Sequence, residues 1–136
     1  MKSAAFLDAN VLIRHFTADS ADQSPRATAF LADLETGELS VHVPEFVVFE
    51  TIFTLERSYR QPKARIRENV MAILELTSVL TPGKRLFRRA LDVYVEYNVS
   101  FGDAYHVALM EQRGVTEIIS FDRDFDRVPG ITRIEP

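Results

Sequence analysis

Cysteine is absent from all 136 residues of the sequence. This absence excludes disulfide bonds and zinc sites built from thiolates. Histidine is also scarce, since the chain contains three, and their spacing does not suggest a pair of imidazole ligands. A metal site in this chain would therefore be rich in oxygen ligands, which suit Mg²⁺ or Mn²⁺ and argue against zinc.

The sequence also lacks a long hydrophobic run and an excess of positive charge. No apolar stretch reaches the roughly 18 residues that a membrane-spanning helix requires, and the first apolar run is too short for a signal peptide. We therefore expect a cytoplasmic protein with no membrane partner. The net charge of −4, from 16 basic and 20 acidic side chains, argues against a purely electrostatic nucleic-acid binder and makes local basic patches the relevant feature.

Short apolar segments alternate with longer helical patterns along the chain. The segments typical of buried strands are 4–7, 41–43, 78–82, 117–122 and 131–134. Helical periodicity, with proline or glycine near several ends, favours helices over 11–16, 22–36, 45–59, 63–76, 84–97 and 102–114. Alternation of this kind is typical of βαβ units and a parallel sheet.

These elements predict an α/β fold in which helices cover both faces of a sheet. We expect a three-layer α/β/α sandwich with a central, mostly parallel sheet of four to five strands, in a single domain spanning residues 1–136. Ligands of such folds bind outside the carboxyl ends of the strands. Asp8 follows the first predicted strand and Asp122 ends the segment 117–122, after its apolar residues, so both should lie at that edge although they are distant in sequence.

Most of the candidate acids also have a simpler structural interpretation. Asp8 and Asp103 could each cap the helix that follows, although Asn10 is the expected cap of the helix over 11–16. Asp122 and Asp124 could belong to a polar turn.

Glu50 is harder to explain as a structural residue. It lies in FVVFETIFTL, where apolar residues occur almost all round the predicted helix, so we expect this helix to be buried in the core or an interface. No lysine or arginine lies within one turn of Glu50. A buried carboxylate needs a positive partner, and a metal ion would serve.

Four segments together resemble the PIN-domain family. They are FLDANVLIR, VVFETIFTLER, FGDAYHVALM and IISFDRDFDRVPGI, which occur in the family's order and span nearly the whole chain. The likeness extends to the VapC-type toxins of toxin–antitoxin pairs. The resemblance implies an endoribonuclease with Mg²⁺ or Mn²⁺ as cofactor, in which metal-activated water hydrolyses RNA phosphodiester bonds.

The resemblance also assigns roles to individual residues. It matches the family's catalytic and metal-binding acids to Asp8, Glu50, Asp103, Asp122 and, as a further metal ligand, Asp124. Asn10 matches the polar companion of the first acid. Ser120 stands where the family more often has threonine, and it keeps the hydroxyl.

Binding of RNA and of protein partners requires further surfaces. Phosphate contacts need cations, and the candidates are Arg14, Lys63, Arg65, Lys84, Arg85 and Arg88. Each of these could instead lie on a solvated helix face. The resemblance implies an antitoxin partner and a homodimer, for which the apolar helix over 45–59 is a candidate face, with core packing as the alternative.

Two other functions are alternatives to the ribonuclease. A haloacid-dehalogenase-like phosphatase also has an aspartate after its first strand, but it needs a second aspartate at the position of Asn10. A non-catalytic RNA- or partner-binding module of the same fold is the main alternative. The presence of every acid in the family pattern favours the enzyme.

Overall fold

A computed structural model describes residues 4–136 as an α/β protein with six α-helices and five short strands. The helices are α1 (Ala9–Thr17), α2 (Gln23–Thr36), α3 (Glu45–Arg57), α4 (Lys63–Leu74), α5 (Lys84–Glu96) and α6 (Phe101–Arg113). The strands are β1 (Ala5–Phe6), β2 (Val41–His42), β3 (Val79–Leu80), β4 (Glu117–Ile119) and β5 (Thr132–Ile134). A 3₁₀-helix, Arg123–Arg127, follows β4. The predicted order of strands and helices is confirmed, with small shifts at their ends.

Local sequence signals set several helix boundaries. Gly37 and Gly114 end α2 and α6 in the left-handed conformation, with φ of 80° and 69°. Glycine adopts this conformation without the steric cost that a side chain would add. Pro44 and Pro62 immediately precede α3 and α4, where a missing backbone N–H removes no helical hydrogen bond.

The described chain forms two compact units, divided in sequence between Lys84 and Arg85. The first unit contains a three-stranded parallel sheet in the order β1–β2–β3, with Val41 opposite both Ala5 and Val79. Its helix α1 packs against α2 and α3. The second unit contains the parallel pair β4–β5 and helix α6.

The predicted α/β class is confirmed, and every strand pair in residues 4–136 is parallel. The three-stranded sheet is close to the four to five strands that we expected, while β4 and β5 pair with each other. Each strand has only two or three residues, so each ladder contains few hydrogen bonds. The three-layer arrangement and the single domain stay predictions.

Large apolar side chains are buried in both units. In the first unit, the completely buried ones follow β2 or lie on α3, α4 and β3, and they include Val43, Ile52, Leu55, Ile66 and Val79. In the second unit, the ring of Phe87 stacks on Phe101 with centroids 6.3 Å apart, and Tyr94 meets Phe101 edge-on at 5.6 Å. No helix within residues 4–136 is long and apolar enough to cross a membrane.

Candidate functional site

Three carboxylates of the second unit lie together. Asp103, Asp122 and Asp124 each place a carboxylate oxygen within 4.8 Å of the other two. Asp103 lies in the first turn of α6, whereas Asp122 caps the 3₁₀-helix and Asp124 lies in its first turn. The structure therefore groups two of the four expected acids with the further candidate Asp124, and we call these three residues the acid cluster.

Short polar side chains fix the backbone around the acid cluster. Ser100 caps α6, and its Oγ accepts a hydrogen bond from the backbone N–H of Asp103 at 3.1 Å. The Oγ of Ser120 accepts from the backbone N–H of Asp122 at 2.9 Å. The Oδ1 of Asp122 accepts in turn from the N–H of Asp124 at 2.9 Å. These bonds define the turn that carries Asp122 and Asp124.

Crowding changes the protonation of the acid cluster. Partial burial, a hydrogen bond with Asp122 and the negative charges of Asp122 and Asp124 together raise the pKa of Asp103 to about 6. The backbone N–H of Asp124 and the hydrogen bond from Asp103 lower the pKa of Asp122. Below about pH 6, Asp103 therefore keeps a proton that it shares with the ionised Asp122. Neighbouring carboxylates whose pKa values are shifted in opposite directions are typical of functional sites.

Arg127 lies at the edge of the acid cluster. Its Nη1 donates to the carbonyl oxygen of Asn98 at 2.7 Å, and its Nη2 lies 3.4 Å from Oδ1 of Asp124. Asn98 precedes α6, so Arg127 links the 3₁₀-helix to the segment that leads to Asp103. The sequence alone indicates no role for Arg127, because a contact with a backbone carbonyl leaves no pattern in the sequence.

The donor set of the acid cluster fits a hard divalent cation. Mg²⁺ and Mn²⁺ prefer carboxylate oxygens, and all three side chains of the cluster offer them. Mutual repulsion among these carboxylates contributes to the raised pKa of Asp103. A bound cation would offset that repulsion. The identity of the metal and the participation of each residue as a ligand stay predictions.

Asp8, in the first unit, caps helix α1. Its Oδ1 accepts a hydrogen bond from the backbone N–H of Ala9 at 2.8 Å, and its side chain is exposed. The expectation that Asn10 caps this helix is wrong, because the helix begins at Ala9 rather than at Val11. Asp8 follows β1 closely, as expected for a residue at the carboxyl edge of a sheet. That Asp8 joins the acid cluster stays a prediction.

Glu50 is exposed, so the expectation of a buried carboxylate is wrong. Helix α3 buries a single face, formed by Val47, Val48, Thr51, Ile52 and Leu55. Further apolar residues lie outside that face, and Phe46 is 67% exposed. Apolar residues therefore occur on almost every side of α3, although only one of its faces is buried. The role of Glu50 as a metal ligand now rests on the family resemblance.

Arg14 and Lys84, both candidates for RNA binding, donate hydrogen bonds to groups within the protein. Arg14 donates to both carboxylate oxygens of Asp19 at 3.1 Å and to Oε1 of Gln23 at 2.8 Å. Lys84 donates to the carbonyl of Leu76 at 2.9 Å, and burial lowers its pKa. The other candidates lie on α4 and α5 with exposed or half-buried side chains: Lys63, Arg65, Arg85 and Arg88.

A groove of about 360 Å³ lies between α1 and α2 in the first unit. Leu7, Val11 and Phe30 contribute apolar side chains to its lining, and Arg14 and Arg26 contribute guanidinium groups that each pair with an aspartate of this unit. The groove thus combines an apolar surface with two guanidinium groups, a combination that suits a partner with apolar and acidic side chains.

Comparison with known proteins identifies a family and several relatives. The PIN domain model matches residues 5–131, which include all five candidate acids. The chain is 26% identical over 130 residues to a VapC ribonuclease of Aquifex aeolicus, and the match covers 96% of this chain and 95% of that relative. It is 37% identical over 65 residues to ribonuclease VapC13 of Mycobacterium tuberculosis, covering 46% of this chain and 50% of that relative. The crystal structure of Mycobacterium tuberculosis VapC20, described as a sarcin–ricin loop cleaving toxin, aligns over 98% of this chain and 100% of that chain, with 21% identity and a TM-score of 0.40.

Proposed function

The chain belongs to the PIN-domain family, and we propose that it is a metal-dependent endoribonuclease, the toxin of a type II toxin–antitoxin pair. The name of the Aquifex relative, a VapC ribonuclease matched along nearly the whole chain, supports this activity. The structural observation that carries the proposal is the close grouping of Asp103, Asp122 and Asp124. The family pattern adds Asp8 and Glu50 to the proposed site.

Hydrolysis of a phosphodiester requires a nucleophilic water and a stabilised leaving oxygen. A bound Mg²⁺ or Mn²⁺ supplies both effects. The chain's own task is to hold carboxylate oxygens in place, which Ser100 and Ser120 help to do by fixing the backbone of Asp103 and Asp122. The carboxylate of Asp122 also accepts a hydrogen bond from the backbone N–H of Asp124. This bond orients the Asp122 carboxylate before any ligand binds. A serine or cysteine nucleophile is not required.

We expect the affinity for Mn²⁺ to fall about tenfold when the pH is lowered from about 7 to about 5, because metal ligands must be deprotonated. Asp103 has a pKa of about 6 in the metal-free protein. Above that pH its carboxyl group is already ionised, whereas below it the cation has to displace a proton. Calorimetric titration with MnCl₂ across this pH range measures the effect. A constant affinity between these pH values would contradict it.

The ribonuclease is tested by incubating the purified protein with a broad panel of RNAs. Cleavage should require Mg²⁺ or Mn²⁺ and should stop when EDTA is added. The alternative, a non-catalytic RNA- or partner-binding module, would leave every RNA of the panel uncleaved under the same conditions. Expression of the chain alone should arrest growth of the host cell. A location in the cytoplasm stays a prediction.

An antitoxin protein is the proposed partner of the toxin. The groove between α1 and α2 supports this partner, since it offers apolar side chains beside Arg14 and Arg26. The side chain of Arg26 is 76% exposed and pairs directly with the exposed Asp22 at 3.3 Å, so this weak surface pair can be exchanged for a partner's carboxylate. An adjoining reading frame that encodes a small protein would identify the antitoxin, and its co-expression should restore growth.

Exposed aromatic residues on α3 support the proposed homodimer. Phe46 is 67% exposed and Phe53, two turns further along the helix, is 42% exposed. The ring of Phe49 lies 6.0 Å from that of Phe53. Exposed aromatic clusters are typical of protein–protein interfaces.

We expect Phe46→Glu to convert the dimer into a monomer, since a charge in an apolar contact is costly to bury. Size-exclusion chromatography with light scattering measures the mass directly. Leu39→Glu is the matched control, because Leu39 is also exposed, at 42%, and also lies in the first unit. A dimer that persists in Phe46→Glu would exclude α3 as the interface, and a monomeric native protein would exclude the dimer.

A further inference from the structure

Arg133, on β5, contacts both ends of the segment that carries two members of the acid cluster. Its Nη1 donates to the carbonyl oxygen of Ser120 at 3.1 Å. Its Nε and Nη2 donate to the two carboxylate oxygens of Asp126 at 3.1 and 3.4 Å. Asp122 and Asp124 lie between these two anchor points, so one guanidinium closes the segment into a loop.

Repulsion within the acid cluster acts on the segment 120–126, which carries two of its three carboxylates, Asp122 and Asp124. Three carboxylates within 4.8 Å of one another repel, and this repulsion favours a more open arrangement. The start of the segment is fixed to β5 by a hydrogen bond from the N–H of Ser120 to the carbonyl of Ile134 at 3.0 Å. Arg133 adds a tie from β5 to the far end, at Asp126.

The environment of Arg133 differs from that of an ordinary surface ion pair. Its side chain is 13% exposed, whereas its acidic partners Asp126 and Glu135 are 54% and 53% exposed. Exposed pairs contribute little to stability. A planar guanidinium held by several partners at once is preorganised and loses little entropy for each bond that it makes.

We propose that Arg133 is a positioning residue that holds Asp122 and Asp124 in the arrangement that binds a divalent cation. The inference rests on the proposed metal site but not on the identity of the RNA. Groups that orient metal ligands from outside the coordination shell commonly change metal affinity by 10–100-fold when they are replaced. Arg133 acts through the segment 120–126 and touches neither the metal nor the substrate.

The experiment is a Mn²⁺ titration of the full chain at neutral pH, followed by calorimetry and by the electron paramagnetic resonance signal of the free ion. Arg133→Gln should weaken Mn²⁺ binding by about tenfold or more. Arg133→Lys should restore part of the affinity, because it keeps the charge but cannot reach Ser120 and Asp126 together. Arg89→Gln is the matched control, since Arg89 makes a two-bond pair in the same unit with Glu111, which lies on α6 and not on segment 120–126.

A second pair of variants separates positioning from a change in net charge. Asp126→Asn and Glu135→Gln each remove one exposed carboxylate that Arg133 contacts, but only Asp126 lies on the segment 120–126. Asp126→Asn should weaken Mn²⁺ binding, and Glu135→Gln should leave it unchanged. Circular dichroism checks that each variant is folded, and the Asp126 and Glu135 pair decides the question if Arg133→Gln does not fold.

Each outcome of these titrations supports or overturns the inference. Equal affinities of the Asp126→Asn, Glu135→Gln and native proteins would overturn it, as would native affinity in a folded Arg133→Gln. Equal weakening in Asp126→Asn and Glu135→Gln would also overturn it, because the effect would then be one of charge alone. A native protein that binds no Mn²⁺ would instead refute the proposed metal site itself.

Discussion

Replacing Asp8 with Asn should lower metal-dependent RNA cleavage by at least about a hundredfold, because a bound cation stabilises the transition state by several kcal/mol and each 1.4 kcal/mol is a factor of ten in rate. The amide oxygen of Asn carries no negative charge, so it holds a hard divalent cation less strongly than a carboxylate does. Asp122→Asn should show a similar loss, because Asp122 belongs to the acid cluster.

The Asp8→Asn protein should remain folded. Asp8 caps α1 by accepting one hydrogen bond from the N–H of Ala9, and Asn caps helices about as well as Asp. Asp22 provides the matched control, since it precedes α2 as Asp8 precedes α1, is exposed, and pairs with Arg26. Asp22→Asn should therefore cleave RNA at the native rate, and circular dichroism should show that both variants are folded.

The outcomes of this comparison distinguish the role of Asp8 from that of the acid cluster. Native cleavage by a folded Asp8→Asn protein would make Asp8 a helix cap alone and would leave the chemistry to the second unit. Native cleavage by Asp122→Asn as well would show that the acid cluster is not the nuclease site. The ribonuclease assignment stands if both variants lose activity while Asp22→Asn retains it.

Several helix boundaries were predictable because the signals that set them act within a few residues, although the start of α1 was not. Gly37 and Gly114 end their helices where the sequence places them, and Pro62 precedes α4. The 3₁₀-helix Arg123–Arg127 was not expected, because RDFDR has the composition of a polar turn and a single buried residue, Phe125. Strand pairing was less predictable than strand position, since strands of two or three residues carry little information about their neighbours.

The grouping of Asp103 with Asp122 was implied by the family resemblance. The geometry of a parallel sheet instead predicted that Asp8 and Asp122 lie at one edge, and this stays a prediction. The exposure of Glu50 could not be predicted, since periodicity counts apolar residues without showing which of them are covered. Arg127 and Arg133 were missed for another reason. They contact the backbone carbonyls of Asn98 and Ser120, and such contacts depend on the shape of the loops.

Asp103→Asn should have opposite effects on stability in the absence and in the presence of metal. The pKa of Asp103 is raised to about 6, so its ionised form is disfavoured in the folded protein relative to the unfolded chain. The metal-free native protein therefore loses stability as the pH rises from near the ordinary pKa of an aspartate side chain to above 6. An Asn at this position cannot ionise, so Asp103→Asn should be more stable than the native protein in EDTA above that pH, and the difference should vanish in acid.

In millimolar Mn²⁺, the native protein should instead be more stable than Asp103→Asn. A cation that binds only the folded state stabilises it by about 2.7 kcal/mol when its concentration is a hundred times the dissociation constant. The native protein should gain this stabilisation, whereas Asp103→Asn lacks one carboxylate of the acid cluster and should gain much less. Thermal unfolding in EDTA and in MnCl₂ gives both comparisons, and Asp33→Asn, at an exposed acid on α2, controls for the change in net charge. If Asp103→Asn were less stable than the native protein in EDTA, Asp103 would be a structural partner, and the repulsion that the cation is expected to offset would not exist.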